Sequence, residues 1–543
     1  MTHTTTHTTT RTPRARTAGR IPAAVASAPA RSRAFGAALV GQARFWLYRN
    51  IIALKEWHEF RATEIIPLVA PVEGRVDYRA FTEVHPGMPI RGLYEPVTFP
   101  AEDHAGPRLR GIRLGRRVLD LLTVLAPPHT PPIPRDIDAF LSVVYPLGYR
   151  RAWPTAPAVP PELAQPGADV LAELAVRAPF GSYLRRSASG AGAGTYEIDL
   201  RWMTAYPARA GLARPGGLAR FAVHDGHLGT VSVQQDGVPA DLARAAVLAG
   251  LNEDLTTFRH NLSTHLTTLT SFALATTNEL AARHPVRRLL HHCFHTVLIG
   301  NVEVAEFQIG RPRGFSSTVF SHDGSVLVAM ADDHVGRYDF WDFEPDTQFA
   351  RRGTTETPFA YPYRDNVLRL WAATAAYVED YLSLYFAGDA AVAADPQLTC
   401  WIAELDRLLP QGVTRPDRPV SLRWLARLCA TVIHVSTVEH DVLNNIVWNY
   451  STLGWIVPTV VPLSGEDMDQ RRAFDLVATI IGTWKPYNML LTADIPKLAL
   501  DPAAAAVMQR WIERLAEIQK DMTEAASDLS ISRPGNLNVS ISN

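Results

Sequence analysis

The chain has 543 residues, 47% of them hydrophobic and 20% charged, with a formal net charge of −1. Such a composition supports a large buried core and gives no electrostatic reason to expect nucleic acid or an anionic membrane surface as a partner. Three cysteines, Cys293, Cys400 and Cys429, are too few and too scattered for a disulfide framework or a paired-cysteine metal site. No apolar run reaches the roughly 18 residues of a membrane-spanning helix.

Residues 1–35 are rich in Thr, Arg, Ala and Pro and contain no acidic residue. They lack the apolar stretch of a secretory signal. They read as a disordered basic tail, with a transit-like role as the alternative, and the chain is expected to be cytoplasmic. From about residue 37 apolar residues recur at helical spacing. Residues 60–165 are proline-rich and mixed. Residues 195–235 read as strands, with a hairpin turning at Asp225-Gly226. Beyond 238 the pattern is mostly helical, over about 239–283, 366–387, 396–409, 421–452, 469–483 and 502–526. A second strand-turn-strand signal surrounds Asp323-Gly324. The fold class is therefore mainly α, with small β-hairpin additions.

Two histidine clusters stand out. His260 and His265 lie five residues apart on a threonine-rich segment. On a regular α-helix that spacing splays them by about 140°. They converge only where the helix is widened, as in a π-bulge; otherwise they are ordinary polar positions. His440 and Asn444, at i and i+4, share one helix face. An imidazole is a common iron ligand and an amide oxygen a weak neutral one, although such a pair alone is more often structural than metallic.

In their surroundings these segments resemble lipoxygenases. The His-four residues-His helix (FRHNLSTH) runs into ALATTNELAARHPVRRLL. It is followed by YPYRDNVLRLWAATAAYVEDY at 361–381, DPQLTCWIAEL at 395–405, the VEHDVLNN helix and the tail Asn538-Val539-Ser540-Ile541. Each block is weak alone, but their order is that of the family from about 194 to 541. The resemblance implies a lipoxygenase-like helical catalytic domain over 36–543, with 36–190 only loosely matched. It implies a short form without an N-terminal β-barrel, since evenly spaced short strands are not legible before 190.

The resemblance further implies a mononuclear non-haem iron site, with manganese as a substitute. Its ligands would be His260, His265, His440, Asn444 and a C-terminal carboxylate. The implied partners are a polyunsaturated fatty acid and O2. The implied reaction is hydrogen abstraction from a bis-allylic carbon and then O2 capture, giving a lipid hydroperoxide. Arg311 and Arg313 are candidates for the fatty-acid carboxylate, with a solvated turn as the plainer reading. Leu262, Leu266, Leu269, Phe272, Leu274, Val442, Leu443, Ile446 and Val447 are apolar flanks that serve a tunnel or simply a core.

Three departures qualify this. Val447 stands where the family commonly has a glutamine. Asp441-Val442 replaces a small pair after the histidine, and at i+1 Asp441 is expected on a solvated face. The chain also runs two residues past Ile541, so the fifth ligand is the Asn543 carboxylate, a neutral group such as the Ile541 carbonyl, or water. The alternatives to a dioxygenase are a divergent enzyme acting on hydroperoxides or a specialised metabolite, and a metal-free lipid-binding protein on the same fold.

Overall fold

A computed structural model describes residues 67–80, 93–103, 167–177, 179–188, 196–305, 315–446, 456–464, 488–524 and 533–541, with a few single positions between them. The basic tail, the 469–483 segment, Arg311, Arg313, Val447 and Asn543 lie outside the described residues.

Helices dominate. Strands β1 (Tyr78–Ala80) and β2 (Tyr94–Pro96) pair antiparallel. After α1 (Val170–Ala175) comes an antiparallel sheet in the order β3 (Arg185–Arg186), β4 (Tyr196–Asp199), β5 (Leu218–His224), β6 (His227–Gln234). The β5–β6 hairpin turns at Asp225 and Gly226, both at positive φ (50° and 76°). That turn geometry matches strand twist and is why Asp-Gly signals a hairpin.

The helical body begins with α2 (Ala240–Glu253). A π-helix over Asp254–Leu269 continues from it into α3 (Thr270–Glu279), without a break in the helical path. Then come α4 (Pro285–Leu290), α5 (Val297–Glu303), α6 (Phe315–Val319) and α7 (Gly324–Gly336). The second predicted hairpin is therefore absent. Asp323 is the N-cap of α7 and accepts from the backbone N–H groups of Ser325 and Val326. Asp-Gly serves a cap as readily as a turn, because the aspartate oxygen satisfies free helix donors.

The remaining helices are α8 (Pro345–Arg351), α9 (Pro362–Ser383), α10 (Asp389–Ala393), α11 (Pro396–Leu408), α12 (Leu422–His434), α13 (His440–Ile446) and α14 (Pro502–Glu524). A short π-segment, Val435–Glu439, joins α12 to α13. Helix α9 buries Tyr363, Val367, Leu370, Trp371, Thr374, Tyr377, Val378 and Tyr381, a stripe at three-to-four spacing. It lies between α12 and α14, and Tyr377 stacks on Trp511 of α14 at 4.5 Å.

Several residues that carried the family resemblance hold this frame together. Asn278 clamps the Val76 peptide, donating to its carbonyl and accepting from its N–H. His284 caps α4 and faces Asp395 at 3.2 Å. Trp401 donates to Thr276. None of the described helices is long and apolar enough to cross a membrane.

Candidate metal centre

The π-helix explains both the histidine spacing and the threonine richness. A π-helix closes i→i+5 hydrogen bonds, so residues five apart come nearly above one another. Three hydroxyls reinforce that register: Thr264 donates to the Arg259 carbonyl, Thr268 to Ser263 and Thr270 to His265, each five residues back. In an α-helix the same side chains would bond three or four residues back. The second segment behaves alike, with the His440 N–H reaching the Val435 carbonyl.

The two widened segments bring three imidazoles together. His265 Nε2 lies 3.2 Å from His260 Nε2 and 3.0 Å from His440 Nε2, and one ring nitrogen of each lies within 4.8 Å of the others. All three are buried. Burial pushes the His440 imidazole down to about 3. It holds His260 and His265 well below the usual histidine range, with the neighbouring imidazoles adding to the effect. At neutral pH these are uncharged rings.

The other ring nitrogens of His265 and His440 have partners of their own. Asn301, on α5, donates through Nδ2 to the His265 carbonyl (2.7 Å) and to Thr270 Oγ1 (2.8 Å). Its Oδ1 is therefore the acceptor facing His265 Nδ1 at 2.8 Å, which makes that nitrogen the donor. His440 Nδ1 likewise donates to Asp441 Oδ1 at 3.0 Å. The Nε2 atoms of His265 and His440 thus face each other as bare lone pairs, a repulsive arrangement unless a cation lies among them. Spacings of 3.0–3.2 Å suit neighbouring corners around an ion with nitrogen bonds of about 2.1 Å. The donor set fits a divalent transition metal, with outer partners fixing two of the three rings.

Asp441 is not on a solvated face. It is wholly buried; burial pushes its carboxyl above the usual carboxylate range, and the hydrogen bonds donated by Asn538 oppose this by stabilising the anion. The Asn538 backbone N–H donates to Oδ2, and its side-chain amide approaches Oδ1 at 3.4 Å. The C-terminal segment covers this side of the helix, and the i+1 position alone does not reveal it. Residues 537–541 are all buried. They bridge to Met489 and Leu490 and, through Ser540, to the His295 carbonyl. The Ile541 carbonyl passes beside Gly300, the neighbour of Asn301. Asn444 lies on α13 with its side chain outside the described set.

Two features were not read from the sequence. Asn301 lies 36 residues beyond His265, and nothing local marks it. Arg259 and Glu439, each immediately before a clustered histidine, form a buried ion pair, with Arg259 Nε donating to Glu439 at 2.6 Å. Opposite charges preceding the two histidines were the available signal.

Leu262, Leu269, Phe272, Leu274, Val442 and Leu443 belong to the continuous core. Leu266 also walls a small cleft of about 10 Å³, with Asn301, Val302, Ala305 and the Leu93–Pro96 strand. A larger cavity of about 560 Å³ lies nearby, faced by Ser263, His334, Arg337, Tyr338 and Arg352 among others. None of the three histidines lines it.

A helical body threaded by π-segments that converge three neutral histidines makes a candidate metal site, and comparisons with known proteins bear on its family. Residues 232–471 match the family model described as Lipoxygenase. The chain is 27% identical over 303 residues to linoleate 9S-lipoxygenase 1 of Hordeum vulgare, covering 48% of this chain and 34% of that protein. It is 31% identical over 192 residues to linoleate 9/13-lipoxygenase of Pseudomonas aeruginosa, covering 34% and 27%. The matched region thus spans about a third of the length of these relatives. Coral 8R-lipoxygenase shares the fold, with a TM-score of 0.69 at 16% identity, covering 86% of this chain and 79% of that one. Residues 232–471 are therefore a lipoxygenase-family domain.

Proposed function

We propose that the chain is a non-haem iron dioxygenase that converts a polyunsaturated fatty acid and O2 to a lipid hydroperoxide. The observation that carries this reading is the convergence of three buried neutral histidines, two with their Nδ1 protons held so that Nε2 is free. His260, His265 and His440 would hold the ion. Asn444 and the last residues, through the Asn543 carboxylate or the Ile541 carbonyl, are the further ligands. Manganese is the alternative occupant. Iron held there supplies the one-electron redox chemistry by which a bis-allylic hydrogen is removed. Overall, one O2 adds to one substrate, RH becoming ROOH, with no other reductant consumed.

The chain's own residues do the rest. Asn301 and Asp441 fix ring orientation and tautomer. The buried hydrocarbon of Leu262, Leu266, Val442 and Leu443 keeps water from the cluster. The cleft beside Leu266 and Asn301 has mostly apolar walls but, at about 10 Å³, must widen before an acyl chain can enter; the larger cavity's polar walls suit an acyl chain poorly.

Metal analysis and oxygen uptake with linoleate or arachidonate test this. Iron near one per chain and uptake lost in His440→Ala are expected; a protein that takes up neither iron nor manganese refutes it. A second reading, hydroperoxide rearrangement, draws on 31% identity over 190 residues to hydroperoxide isomerase ALOXE3 of Rattus norvegicus. Consumption of added hydroperoxide without oxygen uptake would favour it.

A further inference from the structure

We propose that Asp441 is a positioning residue that docks the C-terminal segment 537–541 onto the helix bearing His440, tying the ring orientation of that histidine to the seating of the tail. The metal-related half of this inference rests on the function proposed above; the docking half does not.

One carboxylate meets three donors. Oδ1 takes the His440 Nδ1–H at 3.0 Å and the Asn538 amide at 3.4 Å, while Oδ2 takes the Asn538 backbone N–H. A buried N–H without a partner is strongly unfavourable, so the tail can lie along α13 only where an acceptor awaits Asn538. From that anchor the chain runs on through Val539, whose N–H bonds the Asn488 carbonyl at 3.0 Å, and Ser540, which bonds the His295 carbonyl at 3.2 Å. It reaches Ile541 beside Gly300. Gly300 adjoins Asn301, the partner of His265. The tail therefore contacts the support of His440 and passes beside the residue that precedes the support of His265, and Asp441 contacts tail and ring at once.

The residue type matters. Asp441→Asn keeps the size but offers a single acceptor oxygen, so either His440 or the Asn538 N–H faces an amide donor. Asp441→Ala removes every one of these contacts. Asn538→Ala keeps the backbone donor to Oδ2 and removes the 3.4 Å side-chain bond to Oδ1.

Hydrogen exchange of the metal-free full chain reads the docking directly, with iron affinity as the second measurement and thermal unfolding as the check on folding. In the unmodified protein the amides of 537–541 are expected to be protected even without metal. In Asp441→Asn they should exchange at least about tenfold faster, and iron should bind about 10–100-fold more weakly. Asn538→Ala, which keeps the backbone donor to Asp441, should change both less than Asp441→Asn does. The proposal is overturned if the tail exchanges freely in the unmodified metal-free protein, which needs no variant to fold. It is equally overturned if Asp441→Asn leaves tail exchange, or iron affinity, within twofold of the original. Failure of the unmodified chain to bind iron would refute the proposed function alone, leaving the tail measurement to decide the docking.

Discussion

Removing the charge of Glu439 should loosen both π-segments at once. Arg259 and Glu439 link the residue before His260 to the residue before His440, with side chains only 14% and 4% exposed. At a charge separation of about 4 Å and an effective dielectric of 20, their attraction is about 4 kcal/mol. Deleting one partner of a buried pair leaves the other uncompensated, which typically costs about 3–5 kcal/mol. Here the two sides are unequal. Glu439 also offsets the buried Arg352 guanidinium, which faces Arg259 as a like charge, so removing Glu439 leaves two buried cations together, whereas removing Arg259 leaves Glu439 with Arg352. Glu439→Gln should therefore cost more than Arg259→Met, and the double variant less than their sum.

The assay is native-state hydrogen exchange of residues 254–269 and 435–439, which reports local opening in a chain too large for a simple two-state unfolding fit. A loss of 3 kcal/mol or more corresponds to protection falling by about 100-fold or more. A fall of less than about tenfold in Glu439→Gln, or equal effects of the two single variants, would refute the reasoning. It would mean that packing and the threonine hydroxyls, not the ion pair, hold the widened helices in register.

Other consequences are as direct. Asn301→Ala removes the acceptor for His265 Nδ1; iron affinity should drop about 10–100-fold, measured by competition with a chelator. Thr268→Val deletes a hydroxyl that bonds both the Ser263 carbonyl and Tyr338. It should cost about 1–2 kcal/mol and raise amide exchange within the π-helix more than in α3. Asp254, bonded by the Tyr183 hydroxyl, is pushed up to about 6 by burial from an ordinary 3.8. The folded state then keeps a proton that the unfolded chain releases between about pH 4 and 6. Its stabilisation is complete below that window and is lost as pH rises through it, by roughly 3 kcal/mol at most. Asp254→Asn should flatten this part of the stability–pH curve; parallel curves for the two proteins would contradict it.

The helical body was legible because its signals are periodic. The α9 stripe and the Asp225-Gly226 hairpin need only local spacing and turn chemistry. The family order of blocks was equally legible, although many of its residues, Asn278, His284 and Trp401 among them, serve packing and capping. Asp323-Gly324 misled because its meaning as cap or turn depends on how the next residues fold. A helix N-terminus and a hairpin both use an aspartate before glycine, and here the Ser325 and Val326 N–H groups donate to it as a helix start.

The candidate site divides along the same line. The five-residue histidine spacing carried real information, since it demanded a widened helix and the chain supplies one. The threonines that made the segment look bland are what lock that width, through three hydroxyls reaching five residues back. What could not be read is what crosses between distant segments. Asp441 was placed on a solvated face by helix geometry alone. Helix geometry fixes direction but not what lies in that direction, and there lies Asn538, 97 residues away. Asn301 and the Arg259–Glu439 pair have the same character. The nitrogens that face one another were legible as residue types at a spacing. The groups that set their tautomers and hold their helices were not, because each is contributed by an element whose position only the folded chain decides. Substitutions at Asp441, Asn301 and Glu439 therefore test the site more sharply than substitutions at the histidines, whose loss would abolish metal binding under almost any account of how they are held.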